Sequence, residues 1–288
     1  MTDVTPAAIA LNRFGLGARA GEAAPSDPKR WLASQLAGAT YQAVPPALAG
    51  EPSSSALAAE FAERQGAIRN AGADDKQAVR KSYNEKLRDT YRAAVNARFM
   101  SALQTPTPFV ERLVVFWSNH FAVSVEKPAV AMLAGSFEAE AIRPHVLGRF
   151  EDMLVAAERH PAMQIFLDQA RSVGPDSPAA ERAAARHPER KPGLNENLAR
   201  EIMELHTLGV RSGYGQNDVT EFARALTGWS IGAMSGAGAP RNNSTANAAA
   251  PGQFVFRQPL HEPGTRTIMD RQYDEPGEQQ ALAVLHDL

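Results

Sequence analysis

Six polar side chains in this 288-residue chain have the types and spacing to do chemistry: His120, Glu201, Glu204, Asn197, Arg200 and Asp168. Glu204 follows Glu201 by three positions and Asn197 precedes it by four, so a helix through them carries all three on one flank. Two carboxylates one turn apart beside an apolar face repel unless they share a cation, a proton or a metal. Arg200 lies one turn from Glu204 and can pair with it. In an active site of this kind Glu201 is the general base or a metal ligand, Glu204 and Asn197 orient it, and His120 shuttles a proton or ligates. The candidate ligands for a divalent metal are His120, Glu201 and Glu204.

Two helices must position these groups. A helix from Pro108 to about Ser124 puts Leu113, Phe116, Trp117, His120 and Ser124 in one arc, so the imidazole is expected among apolar side chains and needs a hydrogen-bond partner. A second helix, Glu196 to Leu208, turns Leu194, Leu198, Ile202 and Leu205 to the core. The expectation is that His120 and Glu201 meet, directly or through water. Asp168, at the end of the apolar run Met163 to Leu167, is a further partner, and His261 could approach from a hairpin. His206 falls on the side away from the glutamates and reads as a surface or interface residue. Trp31, Trp117 and Trp229 read as core or interface fillers.

The competing reading is structural: a His–Glu–Asn–Arg cluster between packed helices fixes their register. That reading is favoured, with metal binding and acid–base catalysis as alternatives. There is no HExxH, no pair of Glu-x-x-His motifs, no G-x-S-x-G elbow, no P-loop and no G-x-G-x-x-G after a strand.

Composition narrows the field further. Apolar residues at 44% suffice for a real core. With no cysteine, disulfides, thiolate catalysis and cysteine-held metals are excluded. A formal charge of −2 gives no global pull toward nucleic acid. Met1 to Ala10 lacks the pattern of a signal peptide, which makes the cytoplasm the default compartment. No apolar run approaches the roughly 20 residues of a membrane span, so the chain is expected to be soluble.

The remaining periodicity and breakers predict short helices over 7–14 and 27–36, then longer ones over 56–71 and 74–104. Leu87, Tyr91, Val95, Phe99 and Leu103 form an apolar stripe on the long one. Helices over 129–142, 149–159, 216–226 and 278–288 follow. Residues 171–193 read as a mobile basic loop with at most a turn of helix at 179–185; its Arg182 to Lys191 segment is a solvated linker in preference to a clamp for anions. Residues 232–252 are a low-complexity, flexible stretch. Phe254 to Phe256 and Thr265 to Met269 are expected to form one small β-hairpin. The fold class is therefore mainly α: an irregular multi-helix bundle with one small hairpin near the C-terminus, in a single domain over 1–288.

Several stretches carry a resemblance to a known family. They are Phe116-Trp117-Ser118-Asn119-His120-Phe121, the run from Asn195 to Gly209, and Asp218 to Trp229. Leu11 to Gly15, and Phe254 to Phe256 followed by His261, belong with them. On these the chain resembles the domain of unknown function 1800 (DUF1800) family over essentially its whole length. The resemblance implies a mainly bacterial, helical protein with no established catalytic residues. It also implies a partner, since the genes often lie beside those of a secreted, sulfatase-like family. Members usually continue beyond the point matching Leu288, which implies a C-terminally shortened member with an incomplete domain. Gly215 and Glu262 depart from the common Thr or Ser and the common Asp.

Overall fold

The structure is a computed structural model and describes residues 5–36, 43–186, 193–232, 234 and 249–288. Its elements follow local sequence signals. Proline opens α1 (Pro6–Arg13), α2 (Pro28–Leu36), α5 (Pro108–His120), α6 (Pro128–Phe137), α8 (Pro161–Phe166) and α9 (Pro178–Arg186). Its ring presets φ, and a first-turn position needs no N–H donor. Between them lie α3 (Ser54–Asn70), α4 (Lys76–Gln104) and α7 (Phe150–Arg159). Then come α10 (Asn197–Glu201), α11 (Gln216–Leu226) and α12 (Glu278–Asp287). The fold is mainly α, as expected.

Two helices continue as single π turns, Glu138–Ile142 after α6 and Ile202–His206 after α10. Each is closed by an i→i+5 bond, from the Arg143 N–H to the Glu138 carbonyl and from the Thr207 N–H to the Ile202 carbonyl. Such turns change which side chains share a face, and both lie beside buried charges.

The strand pairing differs from expectation. Phe254–Phe256 (β2) pairs antiparallel with Trp229–Ile231 (β1), not with the segment near residue 266. Arg266–Ile268 (β3) forms its own hairpin with Arg271–Tyr273 (β4). Met269 and Asp270 make that turn, both at positive φ, the conformation a two-residue hairpin connection of type I′ requires. The Asp218 carboxylate accepts from the Met269 N–H at 2.7 Å and from the Gly215 N–H at 2.7 Å. One side chain thus caps α11 and anchors the hairpin.

The apolar stripe on α4 does not stay inward. A four-residue repeat drifts by about 40° per step on a 3.6-residue helix. Leu87 is half-buried, whereas Phe99 and Leu103 are 64% and 65% exposed. The α4 surface packs against α6 through Gly135 instead. A β-carbon there would sit 2.5 Å from the Ala94 Cβ, so only hydrogen fits. Gly135→Ala is expected to cost about 1–3 kcal/mol, read as a lowered urea midpoint. Ala94→Gly in the same chain should recover most of it; no recovery would mean that the close approach is not the cause.

The region read as a mobile basic loop holds more helix than one turn. α9 spans nine residues and exposes Arg182 and Arg186, while 187–192 lie outside the described residues. The same holds for 233 and 235–248 of the low-complexity stretch. Among the described residues, no helix is long and apolar enough to cross a membrane.

Candidate functional site

The His120 helix and the Glu201 helix do meet, but through different atoms from those expected. The His120 ring is half-buried among Phe116, Trp117, Phe121 and Phe150. Its Nε2 donates to the His206 carbonyl at 2.9 Å. A carbonyl can only accept, so Nε2 carries the hydrogen. Glu201 is half-buried and, among the described residues, forms no hydrogen bond or ion pair. Its charge acts on His206.

His206 is the corrected member of the set. It is 4% exposed rather than on the surface, and its Nδ1 lies 2.7 Å from Oε1 of Glu158, which is 0% exposed. The π turn is the cause. In a regular helix Glu201 and His206 point to different sides, whereas an i→i+5 turn brings residues five apart toward one side. The same shift leaves Leu205 57% exposed, although its spacing had marked it as core. Burial pulls the His206 pKa down. The Glu158 charge and hydrogen bond, reinforced by the Glu201 charge, outweigh this and hold it above the usual value.

The other expected members lie elsewhere. Arg200 spans Glu204 at 3.3 Å and Glu196 at 3.2 Å, and donates to Gln216 at 2.8 Å. This is a half-exposed surface network in which Thr220 and Gln216 also donate to Glu196. Those bonds, the Thr220 hydroxyl above all, lower the Glu196 pKa. Asn197 is exposed at the start of α10. Its neighbour Asn195 makes the tertiary tie, donating from Nδ2 to the carbonyls of Leu167 and Asp168 at 3.1 and 3.2 Å.

Asp168 adopts a left-handed backbone conformation and pairs with Lys127 at 2.8 Å. The same ammonium donates to the Ile165 and Phe166 carbonyls. Asp168 therefore closes α8 and is partnered away from His120. His261 is buried and its Nδ1 donates to the Thr227 carbonyl at 2.8 Å, and Glu262 beside it receives the Arg224 guanidinium at 3.2 Å. Among the described residues, no three His, Asp or Glu side chains are grouped so that they could hold a metal ion.

Three features escaped the sequence reading. The largest is an ion network in which Arg143 contacts Glu111 at 2.5 Å and Glu138 at 2.8 Å, with all three side chains buried. Burial opposes the Arg143 charge, yet the two carboxylates outweigh it and raise the pKa. Glu138 also receives Ser118 at 3.1 Å and lies 2.7 Å from Arg98. The second is Glu140, held by the Ser54 N–H at 2.7 Å and hydroxyl at 2.6 Å, with buried His160 at 3.4 Å. Burial raises the Glu140 pKa, but these partners together bring it below the usual value; burial likewise holds His160 below its own.

The third is the Glu158–His206 pair itself. A signal for it exists: Glu158 follows Ala157 and lies one turn after Leu154, on the buried face of α7. An acid there demands a distant partner, although nothing local says which.

No curated protein and no solved structure matches this chain. One family model does, described as "Protein of unknown function (DUF1800)", over residues 9–288. The motif from Phe116 to Phe121 and the run from Asn195 to Gly209, which supply His120 and His206 to the centre, lie within that match, and the chain belongs to the DUF1800 family.

Proposed function

We propose that this chain is a helical scaffold or partner protein, a single domain whose buried His–Glu and Arg–Glu networks fix how its helices pack. One observation carries the reading: the Glu158–His206 pair is closed off from solvent, at 0% and 4% exposure, where no substrate reaches it. Buried polar networks of this kind specify a unique packing arrangement. Large apolar side chains near the centre also reach solvent. Phe116 and Phe150 flank Trp117 and are both exposed, which suits protein contact better than chemistry. The sulfatase-like secreted protein that the family resemblance implies is the partner this reading names.

The test compares stability with metal content. On the scaffold reading, His206→Phe and His120→Ala lower the unfolding midpoint. Glu201→Gln, at a half-buried position with no hydrogen bond or ion pair among the described residues, changes it by less than about 0.5 kcal/mol. Elemental analysis of the purified chain finds no stoichiometric divalent metal, and the sulfatase-like product co-purifies. Stoichiometric metal that disappears in Glu201→Gln at unchanged stability would remove the reading.

That outcome belongs to the alternative, a hydrolase-like or metal-binding enzyme using His120, Glu201 and Glu204. What favours it is that His120 and Glu201 are both only half-buried, leaving an imidazole and a carboxylate within reach of solvent on adjoining helices.

A further inference from the structure

The motif that gives His120 to the centre sends Ser118 and Asn119 elsewhere. Both line a cleft of about 240 Å³ bounded by α4, α6 and the turn after α5. Tyr91, Val95, Val123 and Ala134 make apolar walls, and Arg98, Glu138 and Asn119 stand among them.

The hydrogen bonding in the cleft decides what can enter. Oε1 of Glu138 accepts from Nε and Nη2 of Arg143 at 3.0 and 2.8 Å. Its Oε2 accepts from the Ser118 hydroxyl at 3.1 Å and lies 2.7 Å from Nε of Arg98. A carboxylate offers about four acceptor sites, so Glu138 is saturated and has nothing left for a cationic or donor ligand. Arg98 is the reverse case. It spends its Nε on Glu138, and among the described residues its two terminal nitrogens have no partner. Asn119 is exposed, and its amide is likewise unengaged among the described residues. Glu51 apart, the cleft therefore presents a cation and an amide donor beside apolar walls.

We infer that this cleft binds a small apolar monocarboxylate, its acid group on the terminal nitrogens of Arg98 and the Asn119 amide, its body along Tyr91, Val95 and Val123. Glu51 on the same lining adds a negative charge, which selects against a second anionic group. Binding here is independent of the Glu158–His206 pair and goes beyond the scaffold reading.

Three probes with similar bodies test this by ligand-observed NMR and calorimetry: hexanoate, hexan-1-ol and glutarate. Hexanoate is expected to bind the wild-type chain at least about tenfold more tightly than the other two, since a charge-assisted hydrogen bond contributes about 1.5–3 kcal/mol. Arg98→Met keeps the side-chain stem and leaves Glu138 paired with Arg143, and it should weaken hexanoate by about tenfold or more. Ala122→Phe fills the cleft from its exposed rim and should abolish binding with Arg98 intact, which decides the matter if Arg98→Met does not fold. No hexanoate binding at millimolar concentration overturns the inference. So does equal binding of hexan-1-ol, or hexanoate binding that survives both substitutions.

Discussion

Arg143→Met is expected to lower stability by about 3–5 kcal/mol, the cost typical of breaking a buried ion pair by removing one partner. For a chain of this size that is a fall in Tm on the order of 10 °C. The loss does not come from the missing attraction alone. Glu111 is left in the core with the Ser101 hydroxyl at 3.4 Å as its remaining hydrogen-bond partner among the described residues. Glu138 retains Arg98 and Ser118 and is the less affected of the two.

Adding Glu111→Leu to Arg143→Met removes the stranded charge and should recover a substantial part of the loss, because an apolar replacement of a whole buried pair is often neutral. Urea melts of both variants give the measurement. If Arg143→Met unfolds within about 1 kcal/mol of wild type, the network is not the clamp between α5 and the π turn after α6 that its geometry suggests.

That network also marks where the sequence was legible and where it stopped being so. α11 was readable to the residue. Its apolar positions keep one face, and Gly215 and Asp218 mark its start locally. α4 was readable in extent but not in orientation, because its four-residue repeat rotates around the axis and carries Phe99 and Leu103 into solvent. Two of the four strands were expected, and they were mispaired: β2 seeks β1 across the low-complexity stretch, a connection that no turn residue announces.

The contacts within the candidate site were misread for a sharper reason. A projection at about 100° per residue assumes a regular helix, and the Ile202–His206 segment is a π turn. One altered turn exchanged the environments of Leu205 and His206. Glu158 stands on the apolar face of α7, whereas Glu111 lies opposite the arc expected to be buried on α5, and their partners lie 48 and 32 residues away in sequence. Spacing rules cannot specify pairings at that range.

The Glu158–His206 pair gives the second large effect, and its pH dependence separates it from ordinary packing. Glu158→Gln keeps the shape of the side chain and removes its charge. The expected cost is about 3 kcal/mol where the imidazole is protonated. The folded-state pKa of His206 lies above its ordinary 6.5. A raised pKa means that the folded form binds the proton more tightly than the unfolded form. The stabilisation is therefore complete below about pH 6.5 and is lost as pH rises through the higher folded value. Buried His160 and His261 have lowered pKa values and act in the opposite sense, favouring the folded state above pH 6.5.

The raw wild-type profile mixes all three histidines, so the difference between wild type and Glu158→Gln is the quantity to follow. It should be largest at pH 5.5–6 and shrink as pH rises above 6.5, while His160→Gln, which leaves the dyad intact, should preserve that trend. A difference that is flat across this range would show that the 2.7 Å contact is a neutral hydrogen bond, and that the charge on His206 has no part in holding the π turn against α7.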